Sequence, residues 1–107
     1  MPILSITEQN YEEAVASSPV PVLLDFYATW CGPCRALAPI VQDIADSTPG
    51  VRVGKVDVDE QPALARRFGV MSIPTLVVLR EGKVVRSVTG ARPKQEILSL
   101  LFETEHV

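Results

Sequence analysis

The stretch from Val20 to Ala28, Val-Pro-Val-Leu-Leu-Asp-Phe-Tyr-Ala, constrains the fold of this chain more than any other. It is apolar at odd and even positions alike, broken only by Pro21 and Asp25. A strand with two apolar faces must be covered on both sides, as a central, mostly parallel strand is when helices flank its sheet. A second such run, Val51 to Val58, follows a segment in which Leu37, Ile40, Val41 and Ile44 recur at i, i+3, i+4 and i+7, the stripe of an amphipathic helix. Strand, helix, strand in that order predicts a parallel pair joined by a right-handed crossover.

The remaining segments extend this unit to a three-layer α/β domain. Ile3 to Ile6 reads as a short strand. Thr7 reads as the N-cap of a helix reaching about Ser17, with Tyr11, Ala14 and Val15 turned inward. Asn10 stands where a full capping box would carry Glu or Gln, so the box is incomplete. Pro39 predicts a kink in the long helix, which Thr48-Pro49-Gly50 ends. A short helix from about Glu60 to Phe68 tolerates Pro62 in its first turn. Thr75 to Arg80 and Lys83 to Thr89 are expected to pair across Glu81-Gly82 as a hairpin, an antiparallel edge to the sheet. Pro93 opens a last helix with Ile97, Leu98, Leu101 and Phe102 inward. At 107 residues, the whole is expected to be one domain spanning 1–107.

Charge and cysteine usage narrow the function classes. A net charge of −3 argues against nucleic acid and anionic membrane as partners, since both favour a basic face. The N-terminus has no basic segment leading into an apolar one, and no apolar run suits a membrane helix, so a cytoplasmic protein is expected. Nothing suggests an obligate oligomer, and a monomer is expected. No dinucleotide fingerprint is present, so no bound cofactor is expected. Two cysteines are too few for a disulfide-stapled fold. With His106 they cannot complete a four-ligand zinc site unless a carboxylate or a second chain contributes. His106 itself reads as an exposed tail residue.

The chemistry is expected in Trp30-Cys31-Gly32-Pro33-Cys34, between a buried-type strand and a helix. At a helix start, a spacing of three puts both thiols on one side, within bonding reach if the turn cooperates. Gly32 removes bulk from that turn, and Pro33 fits a first helical turn. At the helix tip, free N–H groups and the helix dipole should stabilise the Cys31 thiolate, making it the nucleophile. Cys34, one turn in, should be more buried and act as the resolving thiol. A bare pair could be half of a metal site, but the strand before it, the helix after it and the lack of further ligands favour redox work. Asp25, inside an apolar strand, reads as a carboxylate with a raised pKa or as a structural polar residue. Lys55 reads as its charge partner or as a lysine whose stem covers apolar surface.

The segment Asp25-Phe26-Tyr27-Ala28-Thr29-Trp30-Cys31-Gly32-Pro33-Cys34 resembles the active-site segment of the thioredoxin family. Lys55-Val56-Asp57-Val58-Asp59, Phe68-Gly69-Val70, Ile73-Pro74-Thr75 and Gly90-Ala91 fall where that family carries its own signatures, so the resemblance covers nearly the whole chain. Gly-Pro between the cysteines resembles thioredoxins, unlike the Pro-Tyr of glutaredoxins or the Gly-His of disulfide isomerases. The resemblance implies a central five-stranded mixed sheet flanked by four helices. It also implies reduction of disulfide-containing protein substrates, with recycling by a thioredoxin reductase drawing on NADPH. In such a protein Asp25 would assist deprotonation of Cys34 through water, with Lys55 tuning it. A cis bond before Pro74, where an unselected bond would be trans, would turn the Ile73 backbone toward substrate. Trp30, Gly32, Pro33, Gly90 and Ala91 would complete the rim around Cys31, bordered by Met71 and Ser72. Tyr27 departs from the Trp that many thioredoxins carry. Two rival readings are a disulfide oxidase or isomerase, and a binding module whose redox chemistry is incidental.

Overall fold

The computed structural model describes residues 2–102; His106 lies outside them. Five strands form one sheet in the order β1-β3-β2-β4-β5: β1 Leu4–Ser5, β2 Val22–Tyr27, β3 Arg52–Asp57, β4 Thr75–Arg80 and β5 Lys83–Thr89. Both β1 and β2 run parallel to β3, whereas β4 pairs antiparallel with β2 and with β5. β4 alone therefore runs against the other four strands, and the β4–β5 hairpin forms the expected antiparallel edge. Glu81 and Gly82 both take positive φ, 53° and 77°, which gives the two-residue turn the twist a hairpin needs.

Alternation along β2 sorts the core onto the two faces. Leu23 packs with Leu37, Val41 and Ile44 of α1 (Gly32–Ser47) and with Ile97 and Leu101 of α3 (Lys94–Phe102). Val22, Leu24 and Phe26 point the other way, onto Tyr11, Val15 and Leu64. The second layer comprises a π-helical turn, Glu12–Ala16, and α2, Pro62–Arg67. Helices thus cover both faces, as the two-faced run in β2 requires, and the architecture is the expected five-stranded mixed sheet with four helices. No helix among the described residues is long and apolar enough to cross a membrane.

Three local expectations are corrected. The first helix is π-type and shorter than Thr7 to Ser17: the Ser17 N–H reaches back five residues to the Glu12 carbonyl at 2.9 Å. Its N-cap is Tyr11, not Thr7, and carries no side-chain cap bond. The reciprocal bonds of Thr7 and Asn10, Thr7 N–H to Asn10 Oδ1 at 2.8 Å and Asn10 N–H to Thr7 Oγ1 at 3.3 Å, close the turn that precedes the helix. In α3, Ile97 and Leu101 are buried and Leu98 packs at their flank, but Phe102 is 55% exposed. At about 100° per residue it has turned past the edge of the stripe. The long helix continues through Pro39 as one element.

The disulfide site at the head of α1

β2 ends at Tyr27, and a four-residue connection delivers the chain to α1 with Cys31 as its N-cap. The Cys31 N–H donates to the Ala28 carbonyl at 3.3 Å, and Arg35 Nη1 donates to the Thr29 carbonyl at 2.9 Å, so the helix holds its own entry loop. Cys31 is extended (φ −89°, ψ 115°), the ordinary N-cap conformation, and Pro33 falls in the first turn. Cys31 and Cys34 are joined as a disulfide with Cα atoms 5.2 Å apart. Cys31 Sγ accepts the Cys34 backbone N–H at 3.2 Å. One of the free N–H groups of a 16-residue helix is thereby aimed at this sulfur, and it would hold a thiolate there more strongly than a thiol. The expected difference in burial is absent from the disulfide form: Cys31 is 5% exposed and Cys34 4%. The ring closes both sulfurs over Ala28, Tyr27, Val58 and Ile73.

In front of the disulfide lies a groove of about 560 Å³. Trp30, Cys31, Gly32, Pro33 and Ile73 all border it, as do Met71 and Ser72. The Ile73–Pro74 peptide bond is cis. Thr75 Oγ1 donates to the Ser72 carbonyl at 2.6 Å and the Gly90 N–H to the Pro74 carbonyl at 2.8 Å, so the turn after β5 is fastened to the loop before β4. Pro74, Gly90 and the exposed Ala91 do not line the groove. The groove residues given no site role from sequence are Val58, Ala65 and Val70, which come from three segments after β3. Asp59 was also without an assigned role. Its N–H and that of Glu60 donate to Asp57 Oδ1, at 2.9 and 3.3 Å, in a side-chain turn at the end of β3. Asp59 Oδ2 then accepts Trp30 Nε1–H at 2.8 Å. The Asp-x-Asp spacing at the strand end signals the turn, though not its indole partner.

Asp25 and Lys55 are brought together across β2 and β3. They are register partners in the parallel pairing of β2 and β3, so their side chains share a face. That face is the one Leu23 packs onto α1. Asp25 is 1% exposed and its Oδ1 has no hydrogen-bond partner. Burial raises its pKa to about 6, against a lowering by the Lys55 charge. The Lys55 ammonium lies over the Tyr27 ring, 4.5 Å from its centroid, and forms no ion pair with Asp25.

Comparison with known proteins agrees with this geometry. The family model described as Thioredoxin matches residues 2–103. A thioredoxin of Streptomyces clavuligerus is 44% identical over 94 residues, 88% of each chain. One of Haemophilus influenzae is 40% identical over 106 residues, 98% of this chain and 97% of its own. The solved structure of a mutant thioredoxin from Halobacterium salinarum NRC-1 superposes with a TM-score of 0.86 at 41% identity, covering 97% of this chain and 92% of that one. With a cysteine pair closed at the head of α1 and relatives matched along nearly its full length, the chain belongs to the thioredoxin family and is a thiol–disulfide oxidoreductase, a reductase of protein disulfides.

Proposed function

We propose that Cys31 attacks the substrate and Cys34 resolves, and that the carrying observation is the Cys34 N–H directed at Cys31 Sγ across 3.2 Å. In the reduced protein the Cys31 thiolate attacks one sulfur of a substrate disulfide. A Cys31–substrate disulfide forms and the other substrate sulfur leaves as a thiolate. The Cys34 thiolate then attacks Cys31 Sγ, which closes the ring seen here and releases the second substrate sulfur. Two electrons pass to the substrate and the protein ends oxidised. Asp25, buried with a free oxygen and a pKa near neutrality, takes the Cys34 proton through water, and Lys55 tunes it.

The groove is the docking surface for an extended stretch of the substrate protein. Trp30, Gly32, Pro33 and Ile73 supply its contacts; Pro74 orients the Ile73 backbone, and Gly90 with Ala91 forms the outer margin. The chain works as a single 1–107 domain, a cytoplasmic monomer carrying electrons in its own thiols without a bound cofactor. An NADPH-linked thioredoxin reductase recycles it. Its net charge of −3 does not suit nucleic acid or anionic membrane.

The test is the equilibrium potential of the Cys31–Cys34 couple in a glutathione or NADPH-linked buffer. A midpoint near about −270 mV, the figure ordinary for thioredoxin, supports the reductive direction. A midpoint between about −180 and −120 mV would reverse it, toward isomerase or oxidase work.

A further inference from the structure

Tyr27 and Lys55 carry an inference beyond the disulfide itself. Lys55 stands opposite Asp25 in the β2–β3 register and on the same face, with Tyr27 two residues along β2. A lysine so placed has two destinations within reach of its flexible stem. One is the carboxylate, whose Oδ1 is buried and unpartnered. The other is the electron-rich face of the Tyr27 ring. The ammonium takes the ring, at 4.5 Å from the centroid, leaving Oδ1 bare. Tyr27 is half-buried, so the ammonium retains access to water over the ring that it would lose beside Asp25. The neighbouring carboxylates Asp57 and Glu60 add negative potential around Tyr27, which also favours a cation there.

We propose that Tyr27 is a positioning residue: its ring holds the Lys55 ammonium off Asp25, and so keeps the Asp25 carboxyl out of an ion pair and available to exchange protons. The ring replaces an ion pair that would otherwise fix Asp25 as a carboxylate. This rests on reading Asp25 as the group that handles the Cys34 proton. The charged and titratable groups bearing on the cluster are Lys55 on β3, Tyr27 on β2, Asp57 at the end of β3, Glu60 beyond it, and the cysteines of α1. The cysteines do not titrate in the disulfide form, which isolates the carboxyl.

The experiment follows the Asp25 side-chain carboxyl by NMR titration of the oxidised protein, in the native chain, Y27F, Y27L, K55Q and the Y27L/K55Q double variant. Y27F keeps the ring and should leave the midpoint within about 0.2 pH units. Y27L frees the ammonium to approach Oδ1 and should lower the midpoint by about half a unit or more, roughly a threefold loss of proton affinity. In the K55Q background, Tyr27→Leu should have no such effect. An unchanged or raised midpoint in Y27L, or a lowering that persists without Lys55, would overturn the inference. A second reading needs no variant. The Lys55 side-chain methylene protons should be shifted upfield by the Tyr27 ring in the native protein, and ordinary shifts would overturn the inference as well. The underlying role of Asp25 is judged separately by the turnover of D25N. An Asp25→Asn protein that reduces substrate at the native rate ends that role, whatever the titrations of the oxidised protein give.

Discussion

Trp30 Nε1 donates to Asp59 Oδ2 over 2.8 Å while the tryptophan remains 68% exposed. An exposed aromatic with one tethered edge presents a fixed apolar plane beside Cys31, and it loses less freedom on binding than an untethered one. Asp59→Asn weakens that tether and Asp59→Ala removes it. Both are expected to raise KM for a protein disulfide about two- to fivefold with little change in kcat. Trp30 is the chain's one tryptophan, so its emission reports the loss directly. An unchanged emission spectrum and KM in D59A would show the hydrogen bond to be idle.

Cys34→Ser is expected to stop the cycle at the mixed disulfide, leaving substrate covalently bound through Cys31. Cys31→Ser should trap nothing and lose at least about a thousandfold in turnover. Non-reducing gels and intact mass after incubation with a disulfide-bonded protein distinguish the two. Trapping through Cys34 in the C31S protein would invert the assigned roles.

Asp25 makes stability depend on pH with an unusual sign. Its folded pKa of about 6 lies above the ordinary carboxylate value of 3.8. Between those values the folded protein holds a proton the unfolded chain has released, so stability falls as pH rises through that window and stays low above about 6. A rise of about two units, at about 1.4 kcal/mol each, amounts to roughly 3 kcal/mol. Urea unfolding of the oxidised native protein at pH 5 and pH 7.5 should therefore show the higher midpoint at pH 5 from this group. Asp25→Asn should flatten that difference and be the more stable protein at pH 7.5. A D25N protein no more stable than the native one at pH 7.5 would mean the carboxylate is well solvated in the fold.

Gly54 sits in β3 between β1 and β2, paired with Leu4 and Leu24. A Cβ there would lie 2.6 Å from Ile6 Cγ1 and 3.1 Å from Leu24 Cδ2. Gly54→Ala is expected to destabilise by about 1–3 kcal/mol through overpacking, and Gly54→Val by more. Gly50→Ala, where a Cβ meets nothing within 4 Å, is the matched control and should leave the urea midpoint nearly unchanged.

Much of this protein was determined by short-range pattern. The two-faced apolar runs required a covered sheet, the stripe from Leu37 to Ile44 required an amphipathic helix, and Glu81-Gly82 required a tight turn. Cys31-Gly32-Pro33-Cys34 at a strand–helix junction marked the chemistry. Each depends on backbone propensity or periodicity within a few residues, and these survive in a linear string. Tertiary structure decided what depends on register and on segments meeting from afar. Only the pairing of β2 with β3 sets Lys55 opposite Asp25, and only the placement of the ring then draws its ammonium onto Tyr27. Only the fold brings Asp59 to Trp30, and Val58, Ala65 and Val70 to the groove. Closure of Cys31 onto Cys34 left the two sulfurs almost equally buried, and the end of α3 left Phe102 in solvent. Side-chain contacts across 29 positions of chain carry no local signature, because what makes them is the packing of elements whose own formation the sequence does specify.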